Sequence, residues 1–298
     1  MDHNPLAGQL RTARSEGGCF LLPPRLVVRL SGCDAFRYLN GQITRDLNRL
    51  QEGEALPACI LTPKGKLCAP LLVWREGTDL LVEADPSLQE SLLARLERYI
   101  VADDVTISVE HSPETIHCFG ALASDSPWKD LPGLRVTRLG GGGRDLARPD
   151  QPHPPLLDPS IIERLRIERG LPAWGSELDE EILPPEAGLD RTHIDYDRGC
   201  YPGQEVISRL KSIGRVNRLL QVLQADEHVS LGISMPVVTQ DGVEVGSITS
   251  VAPEFPGEAS AALAYLQRGV VEGKVPIFAL DPLTASRTPL SITQVTGS

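Results

Sequence analysis

Aromatic residues make up only 4% of this 298-residue chain, too few for the stacking platforms that hold single-stranded nucleic acids. Positive charge is also short. Twenty-nine Lys and Arg against 40 Asp and Glu leave a net −11, which argues against broad affinity for nucleic acid or anionic membranes. No run approaches the roughly 18 to 20 apolar residues of a membrane span. Met1-Asp2-His3-Asn4-Pro5 has no basic region followed by an apolar stretch, so no secretory signal is expected. The six cysteines, at positions 19, 33, 59, 68, 118 and 200, form no C-x-x-C pair and no zinc-ligand cluster. They are expected to be free thiols in a reducing cytoplasm. No internal repeat is present.

What is there is an ordinary folding composition, 41% hydrophobic and 23% charged, long enough for two domains. Strand patterns stand at 26–30, 58–61, 71–74, 79–84 and 105–109, the second and third joined by a turn at Thr62-Pro63-Lys64-Gly65-Lys66. Asp34 (or Ser31) opens a short helix through Phe36, Tyr38 and Leu39. Asp85-Pro86 opens a helix with Leu88, Leu92, Leu96 and Ile100 on one face, and Asp158-Pro159 opens another that stops at Gly170. Between them, about 125–158, prolines and Gly140 to Gly143 predict a mobile connector. Beyond 218, five short strands with a hairpin turn at Asp241-Gly242 predict a small β-barrel.

The segment around Arg198-Gly199-Cys200-Tyr201-Pro202-Gly203-Gln204-Glu205 differs in kind. Two close glycines point to a backbone that needs positive φ or close approach to a ligand. Gln204 and Glu205 open a helix, where free N–H groups favour an anion. Arg209, Lys211, Arg215 and Arg218 follow, a basic run inside an acidic protein. Cys200, beside Arg198 and ahead of that helix, is the candidate reactive thiol.

This segment resembles the K-G-C-[FY]-x-G-Q-E signature of the YgfZ family of folate-binding proteins, relatives of the glycine-cleavage T-protein, an aminomethyltransferase. Leu39-Asn40-Gly41-Gln42-Ile43-Thr44-Arg45-Asp46-Leu47, Leu61-Thr62-Pro63-Lys64-Gly65-Lys66, Pro184-Pro185-Glu186-Ala187-Gly188-Leu189 and Val245-Gly246-Ser247-Ile248-Thr249-Ser250 resemble further family motifs in the same order. Arg198 replaces the signature Lys, and Trp174 replaces the usual Tyr or Phe before Gly175. T-proteins carry two Asp residues where this chain has Ala69 and Pro70, neither of which can accept a proton.

The resemblance implies an α+β fold: a T-protein-like folate-binding module over 1–218 and a C-terminal β-barrel over 219–298. It implies a tetrahydrofolate-binding accessory protein in iron–sulfur cluster assembly or repair, acting with iron–sulfur enzymes or assembly factors and touching tRNA modification indirectly. Cys200 would be the reactive group. Glu168 would accept hydrogen bonds from the pterin, with Trp174, Glu186, Arg198, Gly199, Tyr201, Gly203, Gln204, Glu205 and Arg209 completing the ligand set. No metal ligand set and no stable nucleic-acid complex are expected. Two other readings stay open: a folate-dependent one-carbon transferase and a tRNA-binding module.

Overall fold

Alternating burial organises the first half of the chain. In Leu67–Glu76, Leu67, Ala69, Leu71 and Val73 turn inward while their neighbours face out, the period-2 signature of a half-buried strand. The computed structural model describes residues 5–121, 133–147, 155–212 and 214–293. In it this strand, β4, joins β3 (Leu56–Leu61), β5 (Asp79–Ala84), β2 (Leu26–Ser31) and β6 (Thr106–Glu110) in an antiparallel sheet of order β3-β4-β5-β2-β6. Helices Ala35–Asn40 and Gln89–Glu97 cover one face, burying Leu39, Leu92 and Leu96. Asp85 caps as expected, accepting from the Ser87 amide, but Pro86–Leu88 forms a 3₁₀ turn and the α-helix ends before Ile100.

A second sheet, order β1-β7-β9-β8, was not legible in the sequence. It contains β1 (Gly17–Leu21), β7 (Thr115–Gly120), β8 (Leu134–Arg135) and β9 (Gly143–Ala147). Two of these strands fall inside the expected connector, which is a correction: residues 134–135 and 143–147 are strands, with β9 paired to β7 from Thr115↔Ala147 to Phe119↔Gly143. The glycines read there as linker have specific tasks. Gly140, Gly141 and Gly142 take positive φ, and a Cβ on Gly143 would stand 2.4 Å from the His117 ring. Of that expected connector, 125–132 and 148–154 lie outside the described residues.

Expectation and structure also part over the thiols. Register places Cys19 opposite Cys118 on β1 and β7, with Cα atoms 4.2 Å apart, and the two form a disulfide. Both are essentially inaccessible to solvent, at 0% and 1% exposure. The bridge spans 99 residues, a loop whose closure stabilises by about 4 to 5 kcal/mol in the chain-entropy picture. Cys33, Cys59, Cys68 and Cys200 remain free.

A buried ionic network joins the two sheets. Arg138 donates to both carboxylate oxygens of Glu83 on β5 (2.8 and 2.7 Å) and to Asp145 on β9, which also holds Nδ1 of His117 at 2.7 Å. Arg25 adds a 2.9 Å bond to Glu83.

The C-terminal part is a closed six-stranded barrel of order β10-β13-β12-β11-β14-β15. Its strands are β10 (Arg218–Ala225), β11 (Pro236–Thr239), β12 (Glu244–Val251), β13 (Ser260–Gln267), β14 (Ile277–Leu280) and β15 (Arg287–Thr293). Asp241-Gly242 makes the β11–β12 hairpin turn, Gly242 at φ +87. The sixth strand, β15, went unread because Pro289 interrupts it; it closes the barrel by pairing Val222 with Thr293. One core cluster runs across the junction, uniting Leu61, Leu67, Tyr201 and Ile207 with Val222, Leu263 and Tyr265. Among the described residues, no helix is long and apolar enough to cross a membrane.

Candidate functional site

Three of the singled-out segments meet through their backbones. Gly203 has φ +87, and a Cβ there would lie 2.5 Å from the Thr62 carbonyl oxygen and 3.1 Å from the Gly65 Cα. Gly65, itself at φ +76, faces Val206, whose Cβ would be 3.0 Å from an added methyl. The Thr62–Lys66 turn is thereby seated glycine-to-glycine on the start of helix Gln204–Ser212, which only residues without Cβ permit. Gly199 is different. It has no positive φ, and nothing lies within 4 Å of where its Cβ would be, so the expected crowding holds at Gly203 alone.

Arg198 is turned inward. It donates 3.0 Å bonds to the carbonyls of Ile43 and Gly199, further bonds to those of Asn40 and Arg45, and lies 5.4 Å over the Tyr201 ring. Four carbonyls suit the fixed fork of a guanidinium better than the point charge of an ammonium. Partial burial moves this guanidinium below the usual arginine range. Asp195, unforeseen from the sequence, anchors the same loop from the other side. It accepts from the Asp46 amide (2.9 Å) and Arg49 (3.1 Å), with Arg45 Nε at 3.1 Å. Buried Thr44 joins in, its hydroxyl accepting from the Cys59 amide at 2.8 Å and donating to the His193 carbonyl. Only the D-Y-D spacing just upstream of Arg198 could have pointed to Asp195.

On this clamped platform Cys200 is exposed and free. Tyr201 is buried, and burial pushes its phenol up to about 12. Gln204 donates weakly to the Arg198 carbonyl at 3.4 Å. Glu205 and Arg209 are exposed, in the first and last turns of their helix.

His193 sets a pH dependence. Burial first, and Arg45 second, push its imidazole down to about 4. Between the ordinary value of about 6.5 and that figure, the unfolded chain takes up a proton the folded one refuses, so acid favours unfolding. His117 is shifted the same way by burial. From His193, stability is expected to fall by up to about 1.4 kcal/mol per pH unit as pH drops from about 6.5 toward 4, with His117 adding in the same direction. Urea midpoints across that range should fall less steeply for His193→Gln than for the parent; identical slopes would refute it.

The remaining candidates are dispersed. Both Glu168 oxygens accept from Arg14 (3.0 and 2.5 Å) and one also from Arg164 (2.7 Å), so arginines 154 and 4 residues away occupy the carboxylate expected to read a pterin. Glu186 caps its own 3₁₀ turn through the Leu183 amide (3.1 Å) and pairs with Arg218 at 3.2 Å. Trp174 packs between two core clusters. Ala69 is buried at 1% exposure, and Pro70 pairs with Cys59 on a stretch of β4 that has no β5 partner, where its missing N–H costs no ladder bond.

Two cavities lie near this platform. One, about 520 Å³, is lined by Thr62–Lys64 and Lys66–Cys68 of the turn, by Ser91, Leu92 and Arg95, and by Glu180 and Glu181. The other, about 490 Å³, lies between residues 185–191, the end of helix Gln204–Ser212 and the start of β10. Of the expected ligand set only Glu186 lines either one.

No family model matches the chain. It is 25% identical over 278 residues to a putative chloroplastic transferase of Arabidopsis thaliana, an alignment covering 81% of this chain and 63% of that protein. The chain thus spans less than two thirds of that relative's length. It is 26% identical over 220 residues to the tRNA-modifying protein YgfZ of Enterobacter (65% of this chain, 68% of that one). It is 28% identical over 223 residues to a mitochondrial iron–sulfur cluster assembly factor IBA57 homologue of Phaeosphaeria nodorum (66% and 53%). The glycine cleavage system aminomethyltransferase T of Bartonella henselae superposes with TM-score 0.77 at 16% identity, covering 96% of this chain and 88% of that one, and so shares the fold.

Proposed function

We propose that this chain, a relative of proteins named YgfZ and IBA57, is a tetrahydrofolate-binding accessory protein supporting iron–sulfur cluster assembly or repair, with Cys200 as its reactive group. One observation carries the reading. Arg198, Asp195, Gly203 and Gly65 are all engaged in fixing backbone, and what the fixed loop presents to solvent is a free thiol. Rigid presentation of one unengaged nucleophile is what thiol chemistry with a partner requires.

The 520 Å³ cavity suits a reduced folate in size and donor set. Glu180 can accept from a pterin's N–H groups, while Glu181 is already paired with Lys66; Leu67, Leu92 and Pro63 offer apolar wall, and Lys64 and Arg95 can meet a terminal carboxylate. Bound there, the folate would supply one-carbon chemistry or simply occupancy, while this chain's residues orient it. Its wall is the turn seated on Gly203, so ligand and thiol loop would share one support. Aminomethyl transfer is disfavoured because Ala69 and Pro70 offer no acid–base group. The tRNA link of the YgfZ relatives reaches this chain indirectly, through tRNA-modifying enzymes that need clusters. The compartment that suits the free thiols is the reducing cytoplasm, where the inaccessible Cys19–Cys118 bridge is shielded from reductant.

Calorimetric titration with tetrahydrofolate tests the reading. Saturable binding is expected, weakened about tenfold by Lys64→Ala, an exposed residue whose loss leaves the fold intact. Absence of saturable binding would remove the folate; binding unchanged in the variant would remove the cavity.

A further inference from the structure

We infer that the 490 Å³ cavity between residues 185–191, the end of helix Gln204–Ser212 and the start of β10 is a second ligand site, for a small organic phosphate. It shares no lining residue with the cavity assigned to folate, and the inference does not rest on that assignment.

Its charge carries the argument. Arg191, Lys211, Arg215 and Arg268 line it, facing Glu186 and Asp190. Glu186 is already matched, by Arg218 at 3.2 Å and the Leu183 amide at 3.1 Å. Arg268 is matched from outside, donating to Glu272 at 2.7 Å. The other three cations are matched less closely. Arg191 has no ion pair for its guanidinium among the described residues. Lys211 rests on the Tyr196 ring, 3.6 Å from its centroid, instead of on a carboxylate. Arg215 reaches Glu272 only at 3.8 Å and keeps 72% of its side chain exposed. Against them stands Asp190, which attracts Arg191 and Lys211 but whose carboxyl burial still pushes up. Three such cations around one concavity, in a chain of net −11, leave a local excess of positive charge that a bound anion would neutralise.

The geometry narrows the class. Guanidinium forks match the oxygens of a phosphate bidentately, and two arginines with one lysine can engage a terminal and a bridging phosphate together. The volume exceeds what an inorganic ion fills, and Leu210, Val216, Leu219 and Leu220 line the remainder with apolar surface. A phosphorylated organic molecule satisfies both halves.

Titration of the full chain with ADP, pyrophosphate, inorganic phosphate and tetrahydrofolate tests this. ADP is expected to bind saturably and more tightly than pyrophosphate, with affinity falling as salt rises. Arg191→Ala and Arg215→Ala, both at exposed positions, should each weaken ADP about tenfold, and Lys64→Ala should leave it unchanged. No saturable binding of a phosphate probe at millimolar concentration, or ADP affinity that survives the double arginine variant, overturns the site. Pyrophosphate binding as tightly as ADP overturns its organic part, and tetrahydrofolate competing with ADP overturns its independence.

Discussion

Cys200→Ser is expected to abolish support of iron–sulfur enzymes in cells lacking the native protein, while the purified variant unfolds at the same urea midpoint as the parent. The side chain is exposed, so exchanging sulfur for oxygen removes no packing, and surface changes of this kind stay within about ±0.5 kcal/mol. What is lost is chemistry: a hydroxyl at neutral pH is neither a comparable nucleophile nor a soft ligand. The other free thiols supply internal controls, because each is held protonated. Cys33, also exposed, is shifted upward by its hydrogen bond to Asp104, and Cys59 and Cys68 are shifted upward by burial. Cys33→Ser should therefore complement fully. Equal complementation by Cys200→Ser would end the case for a reactive thiol at this position.

Arg138→Met should cost about 3 to 5 kcal/mol of stability, the largest loss expected of any single substitution discussed. Its side chain is 12% exposed and bridges Glu83 and Asp145, each 7% exposed, across the two sheets. Burial by itself would disfavour the charge on all three groups. Their mutual attraction holds the guanidinium above the ordinary arginine range and the Asp145 carboxyl below the ordinary carboxylate range. Removing the cation leaves, among the described residues, Asp145 bonded to His117 and Glu83 bonded to Arg25. Denaturant unfolding at pH 7 measures the loss, and adding Glu83→Gln to the variant should recover part of it by deleting one of the stranded charges. A loss below about 1 kcal/mol would mean that solvent reaches the network and screens it.

Where the sequence was informative, the information was local. Asp85 and Asp158 mark helix starts because a carboxylate two residues ahead of a free amide caps it whatever surrounds it. Asp241-Gly242 marks a hairpin because Gly242 tolerates the left-handed turn, and the alternation of β4 reports which face is buried. Gly203 was legible for the same reason: its φ is a property of one residue. β8 and β9 were not, because strands of two and five residues flanking a glycine run carry no periodic signal; β9 exists by pairing with β7, and β8 by pairing with β9.

The sequence by itself therefore determined the α+β class, most elements of the first sheet and barrel, and the segment that carries the exposed thiol. Tertiary structure alone decided the partners. Cys19 meets Cys118 across 99 residues, Glu168 is taken by Arg14 across 154, and Arg198 reaches Ile43 across 155. A charge or a thiol can be recognised from its own residue type, but what neutralises or bonds it depends on which strands and helices the topology brings within about 3 Å of it. That is why the ligand-like residues Glu168, Glu186 and Arg198 are each bonded within the fold, while Lys64, Arg191 and Arg215, unremarkable or merely basic in the sequence, join Glu186 in lining the cavities.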